Sequence, residues 1–265
     1  MKIIQITDTH LVLDRGEMHG VNPYARLYAC VEDIAVNHAD AELCVITGDL
    51  AHKGELSAYG DLAKILARLP IPYQLMVGNH DHRENLLTTF PDTPTDENGF
   101  IQSIIDLDAG RLIFLDTVVS GEKFGGFCQQ RADWLTAQLK SSDGRAVYLF
   151  LHHPPFKIGM PNVDNMRLLQ GDDLLADTIA PFSNIEHMFF GHVHRPTAGS
   201  WHGISFSSFR GTAHQCALRL EKTPHLGRRH EPPAYGVIFL NAHSTVVHYH
   251  DFLDYTAFVA DSVAS

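Results

Sequence analysis

Cysteine is scarce in this sequence, and no two cysteines are close together along the chain. The chain has 265 residues and four widely spaced cysteines, Cys30, Cys44, Cys128 and Cys216, with no C-x-x-C motif among them. Cys44 also lies inside an apolar, strand-like run. We therefore interpret the four cysteines as reduced, buried thiols that serve as small apolar side chains.

Long apolar runs are missing as well. No run of 18 apolar residues occurs, which excludes a transmembrane helix of ordinary length. Met1 leads directly into a strand-like run, without the charged, apolar and cleavage-site segments of a secretory signal. These features predict a soluble cytoplasmic protein without a membrane partner.

Internal repeats and low-complexity tracts are absent, which bears on the domain organisation. An apolar content of 45% over 265 residues is enough to bury a sizeable core. We expect a single domain over residues 1–265. Residues 223–265 are expected to form a C-terminal hairpin and a tail that takes part in a homo-oligomer, a dimer or a larger assembly.

Positive charge is in short supply. The chain has 20 Lys and Arg against 31 Asp and Glu, a formal net charge of −11. Such a surface repels long nucleic acids unless a local basic face compensates. The only basic cluster is Arg228-Arg229-His230 in a proline-flanked loop, and we interpret it as solvated or interfacial. No nucleic-acid polymer is expected as a partner.

Histidine, in contrast, is abundant, and much of it stands in short motifs that also carry Asp or Asn. Each motif follows an apolar, β-prone run, the kind of segment that forms a strand buried on both faces. Because α/β proteins place their sites at the carboxyl ends of such strands, the motifs are expected to meet at one edge. Imidazole and carboxylate ligands together suit Zn, Mn, Fe or Co. The motifs are Asp8-Thr9-His10, Gly48-Asp49, Gly78-Asn79-His80-Asp81, His152-His153 and Gly191-His192-Val193-His194.

Further patterns predict the remaining elements. Asn22-Pro23 provides a helix N-cap and first residue, and helical spacing of apolar residues follows it and recurs before Pro70 and after Arg131 and Gly171. Apolar runs that do not end in ligands, at residues 100–105, 111–115 and 204–207, indicate a second sheet. Residues 236–240 and 245–249 flank a turn and indicate a hairpin.

The five motifs resemble the pattern of the calcineurin-like metallophosphoesterases. That pattern, D-x-H, G-D, G-N-H-[DE], H and G-H-x-H, is present in order, and the resemblance covers residues 1 to about 215. It implies an α/β fold, a four-layer α/β/β/α sandwich with two mixed sheets flanked by helices. It also implies an enzyme, a metal-dependent phosphoric diester hydrolase.

The resemblance also implies a ligand set for two metal ions, Fe, Mn, Zn or Co. Asp8, His10 and His194 would hold the first ion. Asn79, His152 and His192 would hold the second, and Asp49 would bridge both. A shared carboxylate holds two cations about 3.5–4 Å apart, and a neutral Asn leaves enough positive charge to activate water.

Catalytic and substrate contacts follow from the same resemblance. His80 is expected to contact the phosphoryl group and to protonate the leaving oxygen, with Asp81 orienting it. Asn79 is expected to contact the substrate in addition to its metal. For His153, a substrate contact and a structural hydrogen bond are both open.

One further segment narrows the branch of the family. Gly211-Thr212-Ala213-His214-Gln215 resembles a segment of bacterial glycerophosphodiesterases and class III cyclic-nucleotide phosphodiesterases. By that similarity His214 reaches the substrate, although a structural role is equally open for a lone polar residue after a strand. Loops at residues 11–21, 120–126 and 156–171 are expected to supply specificity because each is rich in Gly or Pro and lies where the strand ends place it near the metals.

The expected reaction is hydrolysis of small glycerophosphodiester-like phosphodiesters by in-line attack of a metal-activated hydroxide. The alternative is a 3',5'- or 2',3'-cyclic nucleotide phosphodiesterase, which needs a stacking surface for the base. The aromatic rings that offer such a surface are equally expected in the core. A phosphomonoesterase is less favoured because the segment at residues 211–215 resembles diesterases, and a metal-free scaffold is less favoured because all seven ligands are intact. The rings in question are Tyr24, Phe124, Phe127 and Phe156.

Overall fold

Two β-sheets lie face to face between helices in this protein. The structure is a computed structural model that describes residues 1–253. The helices are α1 (Pro23–Asn37), α2 (Leu56–Leu66), α3 (Arg83–Thr89), α4 (Gln129–Lys140), α5 (Pro161–Asp164) and α6 (Asp172–Ile179). The strands are β1 (Lys2–Ile6), β2 (Leu43–Ile46), β3 (Tyr73–Leu75), β4 (Ser103–Leu107), β5 (Gly110–Leu115), β6 (Gly125–Gly126), β7 (Val147–Leu151), β8 (Leu168–Gln170), β9 (Ile185–Phe190), β10 (Thr197–Trp201), β11 (Ile204–Ser208), β12 (Gln215–Cys216), β13 (Arg228–Arg229), β14 (Tyr235–Asn241) and β15 (Ser244–His250).

The order of the strands brings the ligand motifs to one edge of the molecule. The first sheet has the order β15-β14-β1-β2-β3, with β1, β2 and β3 parallel, β14 antiparallel to β1 and β15 antiparallel to β14. The second sheet has the order β10-β11-β9-β7-β5-β4, with parallel pairs from β5 to β11 and antiparallel strands at both edges. The predicted motifs follow β1, β2, β3, β7 and β9, so the parallel arrangement collects them.

Side chains point alternately to the two faces of each central strand, and together they form three apolar layers. In β2, Leu43 and Val45 pack between the two sheets, whereas Cys44 and Ile46 pack against the helices α1 and α2. The second sheet presents its outer face to α4 and α6 in the same way. Strands buried on both faces need apolar side chains at every position, which explains the continuous runs in the sequence. The predicted α/β/β/α sandwich with two mixed sheets is confirmed.

Most predicted elements are found close to their expected positions. Helix α1 begins as predicted, with the side chain of Asn22 accepting a hydrogen bond of 2.9 Å from the backbone N–H of Ala25. The prediction that all four cysteines are buried is wrong for one of them. Cys128 is exposed because it is the residue before α4, at the surface, whereas the other three are buried.

The C-terminal region contains the predicted hairpin, in which Asn241 pairs with Ser244 across the turn between β14 and β15. Phe252 then packs its ring on Tyr235, with centroids 5.9 Å apart. The prediction that the tail takes part in oligomerisation concerns mainly residues 254–265, which lie outside the described residues. Within residues 1–253, no helix combines the length and the apolar character needed to cross a membrane.

Candidate metal centre

The ligand motifs leave their strands through unusual backbone turns. Residues other than glycine rarely adopt a positive φ, although Asp and His tolerate it better than most, and each such residue costs on the order of 1–3 kcal/mol. Strain of this kind clusters where a site requires a fixed geometry. The residues with this conformation include Asp8 (φ 52°), His10 (φ 44°), Asp49 (φ 53°), His192 (φ 65°) and His194 (φ 50°).

Glycines precede several of these residues because the motifs approach one another closely. A Cβ atom on Gly78 would lie 2.3 Å from Asp49 Oδ1, and one on Gly191 would lie 2.5 Å from Thr7 Oγ1. Neither distance is compatible with a side chain. The glycines of the G-N-H-D and G-H-x-H motifs therefore permit the packing of one strand end against the next.

Four predicted ligands of the first ion converge at the ends of β1, β2 and β9. His194 Nε2 lies 3.1 Å from His10 Nε2 and 3.3 Å from Asp8 Oδ1. His10 Nε2 lies 3.5 Å from Asp49 Oδ2. Donor atoms placed tetrahedrally at about 2.1 Å from a metal lie about 3.4 Å from one another. The spacing of these four side chains therefore fits a single cation between them.

Backbone carbonyl groups fix the tautomers of two of the histidines. His152 Nδ1 lies 2.8 Å from Thr47 O, and His194 Nδ1 lies 2.8 Å from His214 O. Because a carbonyl oxygen only accepts, each Nδ1 carries the hydrogen and donates it. The Nε2 lone pairs of both rings are thereby directed into the site, as is usual for metal-ligating histidines.

The predicted ligands of the second ion have buried polar atoms without partners. Asn79 Oδ1, His152 Nε2 and His192 Nε2 make no hydrogen bond to any of residues 1–253. Buried polar atoms are rarely left unpaired, so such a group calls for an explanation. His152 Nε2 also lies 3.4 Å from Asp49 Oδ1, the oxygen of Asp49 that faces away from His10. These atoms fit a second cation beside the first.

Burial and the two carboxylates set the charge state of the cluster. Burial lowers the pKa of His10 well below its usual range and that of His192 to about 3. Burial opposes ionisation of Asp49, but neighbouring histidines, His152 foremost, lower its pKa well below the usual value. For His152, burial lowers the pKa, but the charge and hydrogen bond of Asp49, with smaller contributions from Asp8 and Thr47, together raise it to about 9. Because metals bind the neutral imidazole, a cation at this position would take the place of the His152 proton.

Burial also raises the pKa of Asp8, an effect that the positive charge of His194 and His152 offsets in part. Its carboxylate accepts hydrogen bonds from Thr7 Oγ1 at 2.8 Å and from the backbone N–H of His192 at 3.2 Å. A buried carboxylate whose ionisation is disfavoured in this way gains from a cation beside it.

His80 is held by its neighbours with one ring nitrogen unused. Its backbone N–H donates to Asp49 Oδ1 at 2.9 Å, and its ring Nδ1 donates to the carbonyl oxygen of His52 at 2.7 Å. Nε2 is therefore the ring nitrogen that is available to a substrate in the cavity. The side chain lines the cavity above the ligands.

Asp81 has a different position from the one predicted. Its carboxylate accepts hydrogen bonds from the backbone of Leu50, Ala51 and Gly78 and from the hydroxyl of Tyr59. Burial and the charge of Asp49 raise the pKa of Asp81 to about 6. The His80 ring is oriented instead by the hydrogen bond that it donates to the carbonyl oxygen of His52. Asp81 fixes the loops that carry Asp49 and Asn79.

His52 is a site residue that the sequence did not reveal. Its ring stacks on that of His80, with centroids 4.9 Å apart and an interplanar angle of 20°. Its Nδ1 also lies 3.4 Å from His10 Nδ1, behind a predicted ligand. The residue stands three positions after Asp49 and belongs to no motif, so only the loop geometry identifies it.

A cavity of about 370 Å³ lies above the ligands. Asn79, His80 and His214 line it, as expected for substrate contacts, and His214 stacks on His194 with centroids 4.3 Å apart. Burial, followed by the charges of His194 and Arg228, lowers the pKa of His214 and keeps it neutral. His153 is fully buried and does not line the cavity; its Nδ1 lies 2.8 Å from Thr117 Oγ1.

The three loops expected to supply specificity all reach this cavity. They contribute His19, Lys123, and the pair Val163 and Met166, respectively. The aromatic residues considered for base stacking do not line it. Phe127 and Phe156 pack beside the second sheet, and Tyr24 packs against the first core with Arg15 over its ring. Phe124 is also absent from the lining.

Known proteins resemble this chain in sequence and in fold. The sequence pattern of the calcineurin-like phosphoesterases matches residues 1–196. A probable cyclic nucleotide phosphodiesterase of Rhodopseudomonas palustris is 39% identical, over 96% of this chain and 93% of that protein. A probable glycerophosphodiester phosphodiesterase of Arcobacter nitrofigilis is 31% identical, over 88% of this chain and 86% of its own. In three dimensions, a dimetal phosphatase from Danio rerio matches with a TM-score of 0.69 and 16% identity, over 96% of each chain.

Proposed function

The chain belongs to the calcineurin-like phosphoesterase family, and we propose that it hydrolyses small phosphodiesters with two metal ions held by its seven Asp, His and Asn ligands. The observation that carries this proposal is the position of Asp49 between two sets of ligand atoms. One of its oxygens faces His10 and the other faces His152, at 3.5 Å and 3.4 Å. A carboxylate with this position is suited to bridging two cations.

The donor set indicates what the ions would do. Asp8, His10 and His194 would hold the first ion and Asn79, His152 and His192 the second, with Asp49 shared. Bound there, the ions supply an activated water, with a pKa lowered to about 7, and positive charge for the phosphoryl oxygens. Fe, Mn, Zn and Co all accept such ligands.

The protein's own groups complete the reaction. With Nδ1–H donating to the carbonyl of His52, His80 acts as the acid in its doubly protonated form: its Nε2 proton passes to the leaving oxygen, which departs as the alcohol, and the ring becomes neutral. Asp81 keeps the Asp49 and Asn79 loops in place through its backbone hydrogen bonds. Asn79 and His214 contact the phosphoryl group and the ester arm from the cavity wall.

The cavity favours small alkyl phosphodiesters, such as glycerophosphodiesters, as substrates. Its wall combines histidines and cationic groups with short apolar side chains, and no Phe, Tyr or Trp ring of residues 1–253 lines it. A cyclic nucleotide is the second candidate, favoured by the relative at 39% identity. For that substrate, the stacked rings of His52 and His80 are the flat surface available to a base.

Comparison of a diester with a monoester tests the proposed reaction. The metal-stripped protein, reconstituted with Mn²⁺, is assayed with bis(p-nitrophenyl) phosphate and with p-nitrophenyl phosphate. We expect higher kcat/KM for the diester and no turnover before metal is added. A preference for the monoester would contradict the proposed reaction and indicate a phosphatase. Subsequent assays with glycerophosphocholine and 3',5'-cyclic AMP then separate the two substrate classes.

We also propose a cellular location and an assembly state for the protein. We place the protein in the cytoplasm, with a freely diffusing substrate and without a nucleic-acid or membrane partner. The chain would form a homo-oligomer through its C-terminal segment. Sedimentation of the full chain and of a version ending at residue 253 measures the contribution of that segment to assembly.

A further inference from the structure

Arg228 belongs to the only basic cluster of the sequence, and the fold brings it to the cavity. It lies in β13, which pairs with β12 so that Arg228 is opposite Cys216 and Arg229 is opposite Gln215. Residues directly opposite in an antiparallel pair extend to the same side, and consecutive residues extend to opposite sides. Cys216 lines the cavity, and so does Arg228, whereas Arg229 does not.

Several contacts hold this strand pair at the site. The backbone N–H of Ala217 donates to the carbonyl of Gly227 at 2.8 Å, and Arg195 Nη1 donates to the carbonyl of Cys216 at 2.9 Å. His230 Nε2 donates to the carbonyl oxygen of His19 at 2.8 Å, which ties the strand to the loop on the far side. The guanidinium of Arg228 is therefore presented from a fixed backbone.

Lys123 provides a second cation from a separate part of the chain. It lies in the loop before β6 and lines the same cavity. Within residues 1–253, neither Lys123 nor Arg228 has a carboxylate partner, whereas the neighbouring Arg195 and Arg210 both pair with Glu231. In a chain with a net charge of −11, two exposed and unpaired cations at one cavity are a local reversal of the overall charge.

The scissile phosphoryl group does not account for these two cations. In the proposed function, the metal ligands, Asn79 and His80 already receive it, and a diester carries a single negative charge there. The cations come from the loops and strands of the rim, where the ester arm that is not released would lie. A neutral arm, such as a glycerol ester, gains nothing from them, and the cationic arm of a choline ester is repelled by them.

We propose that Lys123 and Arg228 bind a negatively charged group on the retained ester arm. The preferred substrates are then phosphodiesters with an anionic arm, such as a carboxylate. The inference rests on the proposed function, because it concerns the same cavity. Two cations act on the same arm, so the advantage over a neutral arm is at least about fivefold in kcat/KM at low salt. Because both cations are exposed, the advantage declines as salt is added.

Two matched diesters test the inference. Propyl p-nitrophenyl phosphate and 2-carboxyethyl p-nitrophenyl phosphate have the same leaving group and arms of similar length, and they differ in the charge of the arm. We expect the wild type to prefer the carboxyethyl diester at least about fivefold and Arg228→Gln and Lys123→Gln to bring the ratio towards one. Arg229→Gln, the adjacent exposed arginine outside the cavity, is the matched control and should retain the wild-type ratio.

Equal rates for the two diesters in the wild type would overturn the inference, as would equal ratios for Arg228→Gln and Arg229→Gln. Hydrolysis of the propyl diester reports on the proposed function separately, since that substrate has no charged arm. Should neither diester be cleaved, calorimetric binding of 2-carboxyethyl phosphate and propyl phosphate gives the same comparison without turnover. Tighter binding of the carboxyethyl compound, weakened in Arg228→Gln and in Lys123→Gln and retained in Arg229→Gln, is the result expected there.

Discussion

Replacing Asp49 by Ala is expected to lower the hydrolysis of bis(p-nitrophenyl) phosphate by at least about a thousandfold, more than the loss of one transition-state contact. The reason is that both sets of ligand atoms adjoin this carboxylate, at 3.5 Å and 3.4 Å. Its removal therefore weakens both metal positions at once. Measurement of metal content by plasma mass spectrometry, together with kcat, should show the two losses in parallel.

The controls for this substitution separate ligand loss from misfolding. Asp49→Asn keeps the shape of the side chain and an oxygen that accepts from the His80 backbone, but lacks the charge that bridges two cations. It should fold normally and still lose most activity. Asp177→Ala removes an exposed carboxylate from α6 and should behave like the wild type. Near-normal turnover in Asp49→Ala would refute the bridging role.

Replacing His80 by Ala has the second largest expected effect, and it should act on the chemistry rather than on the metals. General acid catalysis contributes about 10²–10⁴-fold, so kcat for alkyl diesters should fall by that factor while the metal content remains. A p-nitrophenyl leaving group needs little protonation of its oxygen. The kcat for diesters of this kind should therefore fall much less. A ratio of the two losses near one would argue against His80 as the acid.

His82→Ala is the matched control for this variant. His82 lies two residues further along the chain, is exposed, and does not line the cavity. Its replacement should leave kcat and metal content unchanged. Loss of metal in His80→Ala would instead assign that side chain to the ligands, together with His10 and His52, with which it could form a metal-binding group.

The sequence predicted the central strands well because both of their faces are buried. Runs such as Leu43–Ile46 must be apolar at every position, which makes them visible without any structural information. The edge strand Thr197–Trp201 was missed because its small and polar residues are mostly exposed. The pair of two-residue strands around Cys216 and Arg228 has no sequence signature of its own.

The sequence allowed the candidate metal ligands to be predicted, but not the other residues that surround them. Asp8, Asp49 and His192 stand in motifs at strand ends, and the order of the strands in the sheets brings these ends together. His52 and Arg228 reach the cavity through loop geometry and through pairing with distant residues, and no local pattern encodes either. The interpretation of the Arg228-Arg229-His230 cluster as solvated or interfacial did not place Arg228 at the cavity, which this exposed residue lines.

The left-handed backbone conformation of the candidate ligands could not be predicted from the sequence either. Nothing in the Gly48-Asp49 dipeptide predicts that Asp49 has a φ of 53°. The conformation persists because hydrogen bonds from neighbouring strand ends fix it, such as that from the backbone N–H of His10 to the carbonyl of Asp49 at 2.8 Å. Packing of the whole fold thus determines the direction of each ligand.

Metal stoichiometry tests the binuclear centre most directly. The metal-stripped wild type and an Asn79→Ala variant are titrated with Mn²⁺, and the bound metal per chain is compared with the rate of diester hydrolysis. Two ions per wild-type chain, with one lost together with activity in Asn79→Ala, is the predicted result. A single ion in the wild type at full activity, with Asn79→Ala indistinguishable from it, would contradict the two-ion site.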